Sequence, residues 1–152
     1  MKRRLIGLVS ALAVTVGGSL AAAAPAHAAT PAVMITKVYY DSPGKDTGAN
    51  SSLNAEYVQL TNKRRTAVNL KGWTLRDKAN HTYKFATDLR LPAGKSVVVH
   101  TGKGRNTSAH RYWGRSWYVW NNTGDKAFLR NASGGLVDSC TWTKKGNGYT
   151  SC

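Results

Sequence analysis

The sequence predicts an all-β chain folded as a two-layered β-sandwich, and three observations carry that expectation. Aromatic and β-branched residues fall in short runs rather than at helical spacing. Gly, Asn, Asp, Ser and Pro punctuate those runs as turn residues do. No amphipathic helix of useful length is legible anywhere. Eight or nine short strands with regular turns argue for a sandwich, with a small closed barrel as the alternative.

The elements follow in order. Val33–Tyr40 reads as a first strand and Ala55–Thr61 as a second, with Val58 and Leu60 on one face. Ala67–Leu70 is a short third, and Trp73–Arg76 a fourth in which Trp73 and Leu75 share a face. A turn at Asp77–His81 leads into Thr82–Phe85, and Leu89 and Leu91 flank a chain that turns at Pro92-Ala93-Gly94. Lys95–His100 is a strong valine-rich strand. Trp117–Trp120 and Lys126–Arg130 follow, and a turn at Asn131–Gly135 closes a hairpin onto Leu136–Trp142. Two stretches read as irregular: polar Asp41–Asn54 and basic, glycine-rich Thr101–Arg115. Both are long for sandwich loops, and long loops tend to carry function.

The amino-terminal segment stands apart from this pattern. Met1–Arg4 is cationic, Leu5–Ala24 is small and apolar, and Ala26-His27-Ala28 is a small-x-small exit. That is the form of a secretory signal peptide, residues 1–28, with cleavage after Ala28. A retained membrane anchor is the competing reading, which the Ala, Gly and Ser content and the exit motif disfavour. The expectation is a secreted, extracellular bacterial protein whose mature domain, residues 29–152, can keep disulfides. Removing 28 of the 152 residues leaves 124, enough for one domain with a real core.

Charge points to partners rather than to fold. Lys2, Arg3 and Arg4 leave with the signal, so 19 of the 22 basic residues face 7 acidic ones, a mature net charge of +12. Polyanions are the partners such a surplus favours, whether nucleic acid or a cell-envelope polymer; simple solubility by repulsion is the plain alternative. The two cysteines, Cys140 and Cys152, are expected to form one disulfide worth about 3 kcal/mol at best, pinning Thr141–Ser151 back onto the last strand.

Catalytic motifs are scarce. Gly94-Lys95-Ser96 imitates the end of a phosphate loop, but Leu89 stands where a glycine is needed and a strand follows instead of a helix. His81, His100 and His110 form no metal-ligand spacing, and no nucleophile elbow is present. Asp41, Asp46 and Glu56 are the candidate ligands for a cation, calcium being the one such oxygens suit. Lys45 lies between the aspartates, and the plainer reading is a hydrogen-bonded Glu56 near a strand start, with no cofactor. The segment Lys103–Trp120 interleaves charges with rings. Its Lys103, Arg105, Arg111, Tyr112, Trp113, Arg115 and Trp117 are the candidate ligand-binding residues, since arginines beside aromatics suit phosphates and stacked bases or sugars. Tyr112, Trp113 and Trp117 are expected to be exposed, Trp73 and Trp120 to be core.

Four segments together resemble the lamin tail domain family: Ala55–Asn62 (AEYVQLTN), Leu70–Asp77 (LKGWTLRD), Leu91–Gly102 (LPAGKSVVVHTG) and Trp120–Ser139 (WNNTGDKAFLRNASGGLVDS). The likeness covers nearly all of the mature chain and is nearest to short secreted actinobacterial proteins made of this domain alone. It implies an immunoglobulin-like β-sandwich without catalytic residues, a module that in lamins contacts DNA and protein partners. The apolar pattern itself agrees, with Leu60, Leu70, Trp73, Leu75, Val97, Val99, Phe128, Leu129 and Val137 expected to supply the interior. The chain departs from the family in lacking a coiled-coil rod and a fused hydrolase, and in its Cys140–Cys152 tail.

The leading expectation is therefore a non-catalytic binding module that engages a polyanion through a basic, aromatic-containing face. A structural domain that pairs with another secreted protein or with itself is the alternative. A metal-dependent hydrolase using Asp41, Asp46, Glu56 or a histidine ranks far behind.

Overall fold

In the computed structural model the described residues are 30–152, so the predicted signal segment lies outside them. Two antiparallel-dominated sheets face each other. One has five strands in the order β11-β1-β2-β7-β8, and the other has four in the order β10-β9-β4-β5. The first is built from β1 (Val33–Tyr39), β2 (Tyr57–Asn62), β7 (Ser96–His100), β8 (His110–Tyr112) and β11 (Tyr149–Ser151). The second comprises β4 (Thr74–Arg76), β5 (Thr82–Lys84), β9 (Asp125–Arg130) and β10 (Leu136–Trp142). A two-residue pair, β3 (Val68–Asn69) with β6 (Arg90–Leu91), sits apart from both sheets. The chain is thus an immunoglobulin-like sandwich, and the barrel alternative falls.

Alternation puts the apolar residues between the layers. Ile35, Val38, Val58, Leu60, Val97 and Val99 from the five-stranded sheet meet Leu75, Ala127, Leu129 and Trp142 from the other, all buried. Each aliphatic side chain so buried contributes about 1.5–3 kcal/mol. A bulge at Thr36 shifts β1 by one residue against β2, so Ile35 and Val38 both point inward while Lys37 and Tyr39 point out. Tyr40 then crosses the gap, its ring stacked 4.8 Å from that of Trp142 and its hydroxyl donating to the Lys145 carbonyl at 2.7 Å. Asn62 ties the β3–β6 pair to the sheet. Its amide donates to the carbonyls of Thr66, Leu91 and Pro92, and its Oδ1 accepts the Arg64 N–H.

Several sequence expectations need correction. Phe128 does not join the interior: it lies between inward Ala127 and Leu129 and faces outward, half-buried under Lys126 and Arg76. Trp73 is half-buried at the margin of the core rather than inside it. Trp117–Trp120 is not a strand, because the backbone N–H groups of Val119 and Trp120 turn to the Glu56 carboxylate instead of a neighbouring strand. The supposedly irregular Thr101–Arg115 contains β8, which runs parallel to β7. The supposedly irregular Asp41–Asn54 ends in a short helix, α1 (Asn50–Ala55), which also takes Ala55 out of the expected second strand. Its six residues are too few to be helical by propensity. Tertiary bonds hold it: Asn50 and Asn54 each donate to the Lys103 carbonyl at 2.9 Å, and Leu53 is buried.

The disulfide forms as expected between Cys140 and Cys152, but it does not fold the tail onto the last strand. The tail crosses to the other layer as β11 and pairs with β1, so the bridge links β10 of one sheet to the strand at the edge of the other. Cys152 continues that pairing by donating its N–H to the Thr36 carbonyl at 3.2 Å.

Candidate ligand-binding surface

The predicted site residues divide around β8, the edge strand of the five-stranded sheet. Lys103 is anchored to α1, accepting from Asn50 and Asn54 through its carbonyl and donating its N–H to Asn50 Oδ1 at 2.7 Å. The next residue, Gly104, lies flat against the Tyr112 ring, where any Cβ would collide. Exposed Arg105 follows directly, and Asn106 Oδ1 accepts the Tyr112 N–H at 3.0 Å. Lys103, Arg105 and Tyr112 therefore come together at the outer face of the sheet.

Arg111 points the opposite way. It is paired in register with inward-facing Val99, and it lines a cleft of about 160 Å³ with Tyr83, Lys84, Phe85, Asn106 and Tyr112. Its Nε is buried and makes no hydrogen bond among the described residues. No carboxylate lines the cleft. Burial raises the Tyr83 phenol above its ordinary range, and the Arg111 charge opposes that rise.

The other three candidates do not share this location. Trp113 is half-buried rather than exposed, edge-on to Trp120 and tilted to Tyr83, so it closes the end of the core. Arg115 is half-buried, and its N–H donates to the Thr101 carbonyl. Trp117 is 60% exposed and covers Gly48, leaning edge-on toward Tyr118.

Sequence reasoning missed a second set of rings. Strand register aligns Tyr149, Tyr39, Tyr57, His100 and Tyr112 in one row that crosses all five strands of the sheet. Neighbouring centroids are 5.7, 5.5, 5.9 and 4.9 Å apart along that row. Lys37 lies over the Tyr149 ring at 4.3 Å. The outward parity of Tyr57 and Gln59 was readable from Val58 and Leu60 on the other face, whereas Lys37 and Tyr39 share the parity of inward Val33 and Ile35 and turn outward only through the bulge at Thr36; the row itself exists only through the register between strands.

His100 and His110, expected as separate surface residues, are paired. His100 Nδ1 lies 2.7 Å from the Asn54 carbonyl, which can only accept, so Nδ1 carries the proton. That leaves His100 Nε2 to accept from His110 Nδ1 at 3.0 Å. Burial, and secondarily the neighbouring His110, hold the His100 pKa below the usual imidazole value against the opposing Asn54 bond.

The three candidate cation ligands do not converge. Asp41 pairs with Lys145 at 3.0 Å and accepts from Asn122, and Asp46 is exposed. Glu56, two residues before inward Val58 and sharing its parity, is fully buried. Its Oε1 accepts from the Thr101 hydroxyl at 2.6 Å and from the backbone of Val119 and Trp120, while Oε2 is unpartnered. Burial pushes its pKa up to about 7 despite those hydrogen bonds. Among the described residues, no group of three or more His, Cys, Asp or Glu is arranged to hold a metal ion. Chemically the surface offers cations, hydrogen-bond donors and ring faces, which bind and orient.

Comparison with known families matches residues 26–144 to the Lamin Tail Domain. No curated protein matches the chain.

Proposed function

Because the chain belongs to the lamin tail domain family, we propose that it is a secreted, non-catalytic module that binds a polyanion at the β8 edge of its sandwich. Lys103 and Arg105 would meet anionic groups on the outer side of Tyr112, and Arg111 and Lys84 would meet them in the cleft behind it. The observation that carries this reading is Arg111. A half-buried guanidinium that forms no ion pair among the described residues, lining a cleft with no carboxylate, leaves its charge for an incoming anion. The mature charge of +12 supplies the long-range attraction. Secretion is supported by the signal-like start and by the disulfide, which oxidising compartments maintain.

The test is retention on heparin and on duplex DNA across a salt series. Polyanion binding weakens steeply with salt, and Arg111→Ala and Lys103→Ala should each lower the elution salt. Salt-independent retention, or none, would overturn the proposal.

A further inference from the structure

We propose that the outer face of the five-stranded sheet is a stacking platform for single-stranded nucleic acid. This rests on the polyanion reading above and names its ligand class. The row Tyr149–Tyr39–Tyr57–His100–Tyr112 takes one ring from each strand. Four inter-strand steps of about 4.8 Å give it a length of roughly 19 Å. Along Tyr149, Tyr39 and Tyr57 the planes are near parallel, within 21–26°, at centroid spacings of 5.5–5.7 Å. Rings in full face-to-face contact would sit about 3.5–4.0 Å apart. These rings are therefore not in full face-to-face contact, and Tyr39 and Tyr57 are half-buried. Tyr149, the end ring, is 40% exposed.

The chemistry around the row suits a charged, unpaired strand. Lys37 lies beside Tyr39 and Tyr149 at one end, and Lys103 and Arg105 flank Tyr112 at the other. Further along β1, β2 and β7 the same sheet carries a polar band in which Gln59 and Thr36, Thr36 and Thr61, and Thr61 and Ser96 are hydrogen-bonded in turn. No carboxylate falls in the aromatic register row. Unpaired bases expose π-faces that stack on such rings whatever the sequence, while cations at the ends take the phosphates. A duplex hides those faces, so it would meet only the cations. A neutral polysaccharide would use the rings but gain nothing from Lys37, Lys103 and Arg105, so the charges favour the nucleic acid.

Fluorescence anisotropy with a labelled oligo(dT) of about 15 nucleotides, a mixed-sequence duplex of equal length and a neutral glucan as competitor tests this. Oligo(dT) should bind about tenfold more tightly than the duplex, and the glucan should not displace it. Tyr57→Thr and Tyr149→Thr should each weaken oligo(dT) binding about tenfold, leave heparin retention unchanged, and in Tyr57→Phe be restored. Photo-cross-linking of halogenated oligo(dU) to the unaltered protein should label Tyr39, Tyr57 or Tyr149. Equal binding of duplex and single strand, unaffected Tyr variants, displacement by glucan, or cross-links confined to the loops would each overturn the platform. If heparin retention still depends on Arg111 in that event, polyanion binding stands and only the platform fails. Loss of all polyanion retention by the unaltered protein removes both.

Discussion

The Val119 backbone N–H donates to Glu56 Oε1 across 2.8 Å, inside the sandwich. That bond, with the one from Trp120, takes the segment after Trp117 out of any sheet and folds it over the buried carboxylate. A residue that parity alone marks as a misplaced charge is thus the anchor of a loop.

Glu56 gives the protein a pH signature. Its folded pKa of about 7 lies above the ordinary 4.5, so the folded state holds this proton more tightly than the unfolded chain does. The resulting stability is fully present below about pH 4.5 and is lost as pH rises through about 7, an effect of about 3 kcal/mol. Glu56→Gln removes the titration while keeping an acceptor for Thr101, Val119 and Trp120. Denaturant midpoints measured from pH 4.5 to pH 8 should fall for the unaltered protein relative to the Gln variant. Parallel curves for the two proteins would refute this.

The Cys140–Cys152 bridge closes a short loop, so replacing both cysteines with Ala should lower stability by about 2–3 kcal/mol. Because β11 then loses its covalent tie to β10 and keeps a neighbouring strand on one side alone, amide exchange at Tyr149–Ser151 should accelerate before exchange in β1 and β2 does. Unchanged protection of β11 would show that strand pairing alone secures the tail.

Asn62 donates its amide hydrogens to three carbonyl oxygens from a fully buried position. Asn62→Asp would aim a carboxylate at those same oxygens and should destabilise the fold by several kcal/mol, more than Asn62→Ala. Urea unfolding of the two variants checks the order, and an Asp variant as stable as the Ala variant would contradict it.

Gly104 tests whether the basic loop and Tyr112 act together. Gly104→Ala puts a methyl into the Tyr112 ring and must push the Lys103–Arg105 segment or the ring aside. Heparin elution should move to lower salt while the thermal midpoint changes little, since the position is exposed. A large fall in the midpoint with unchanged elution would indicate a structural role only.

The sandwich was legible because Val58 and Leu60 alternate with Gln59 and Thr61, and because short apolar runs such as Val97–Val99 and Ala127–Leu129 are bounded by polar and turn residues. Phe128 escaped because hydrophobicity does not reveal which parity a strand adopts: Lys126 and Arg76 cover an outward ring. β8 escaped because His110-Arg111-Tyr112 carries no β-branched residue and pairs in parallel with β7 after a loop. The basic residues of the candidate surface were readable as a cluster. The division that sends Tyr112 outward and Arg111 into the cleft belongs to strand parity, and the aromatic row belongs to register, neither of which a single segment contains.

The covalent link between Cys152 and Cys140 also fixes how a tensile load placed on Cys152 would be divided. One part passes through the sulfur atoms into β10, the edge strand of the four-stranded sheet. The other passes through the Cys152 N–H into the Thr36 carbonyl and so into β1. A pull at this one residue is thus shared between both layers of the sandwich.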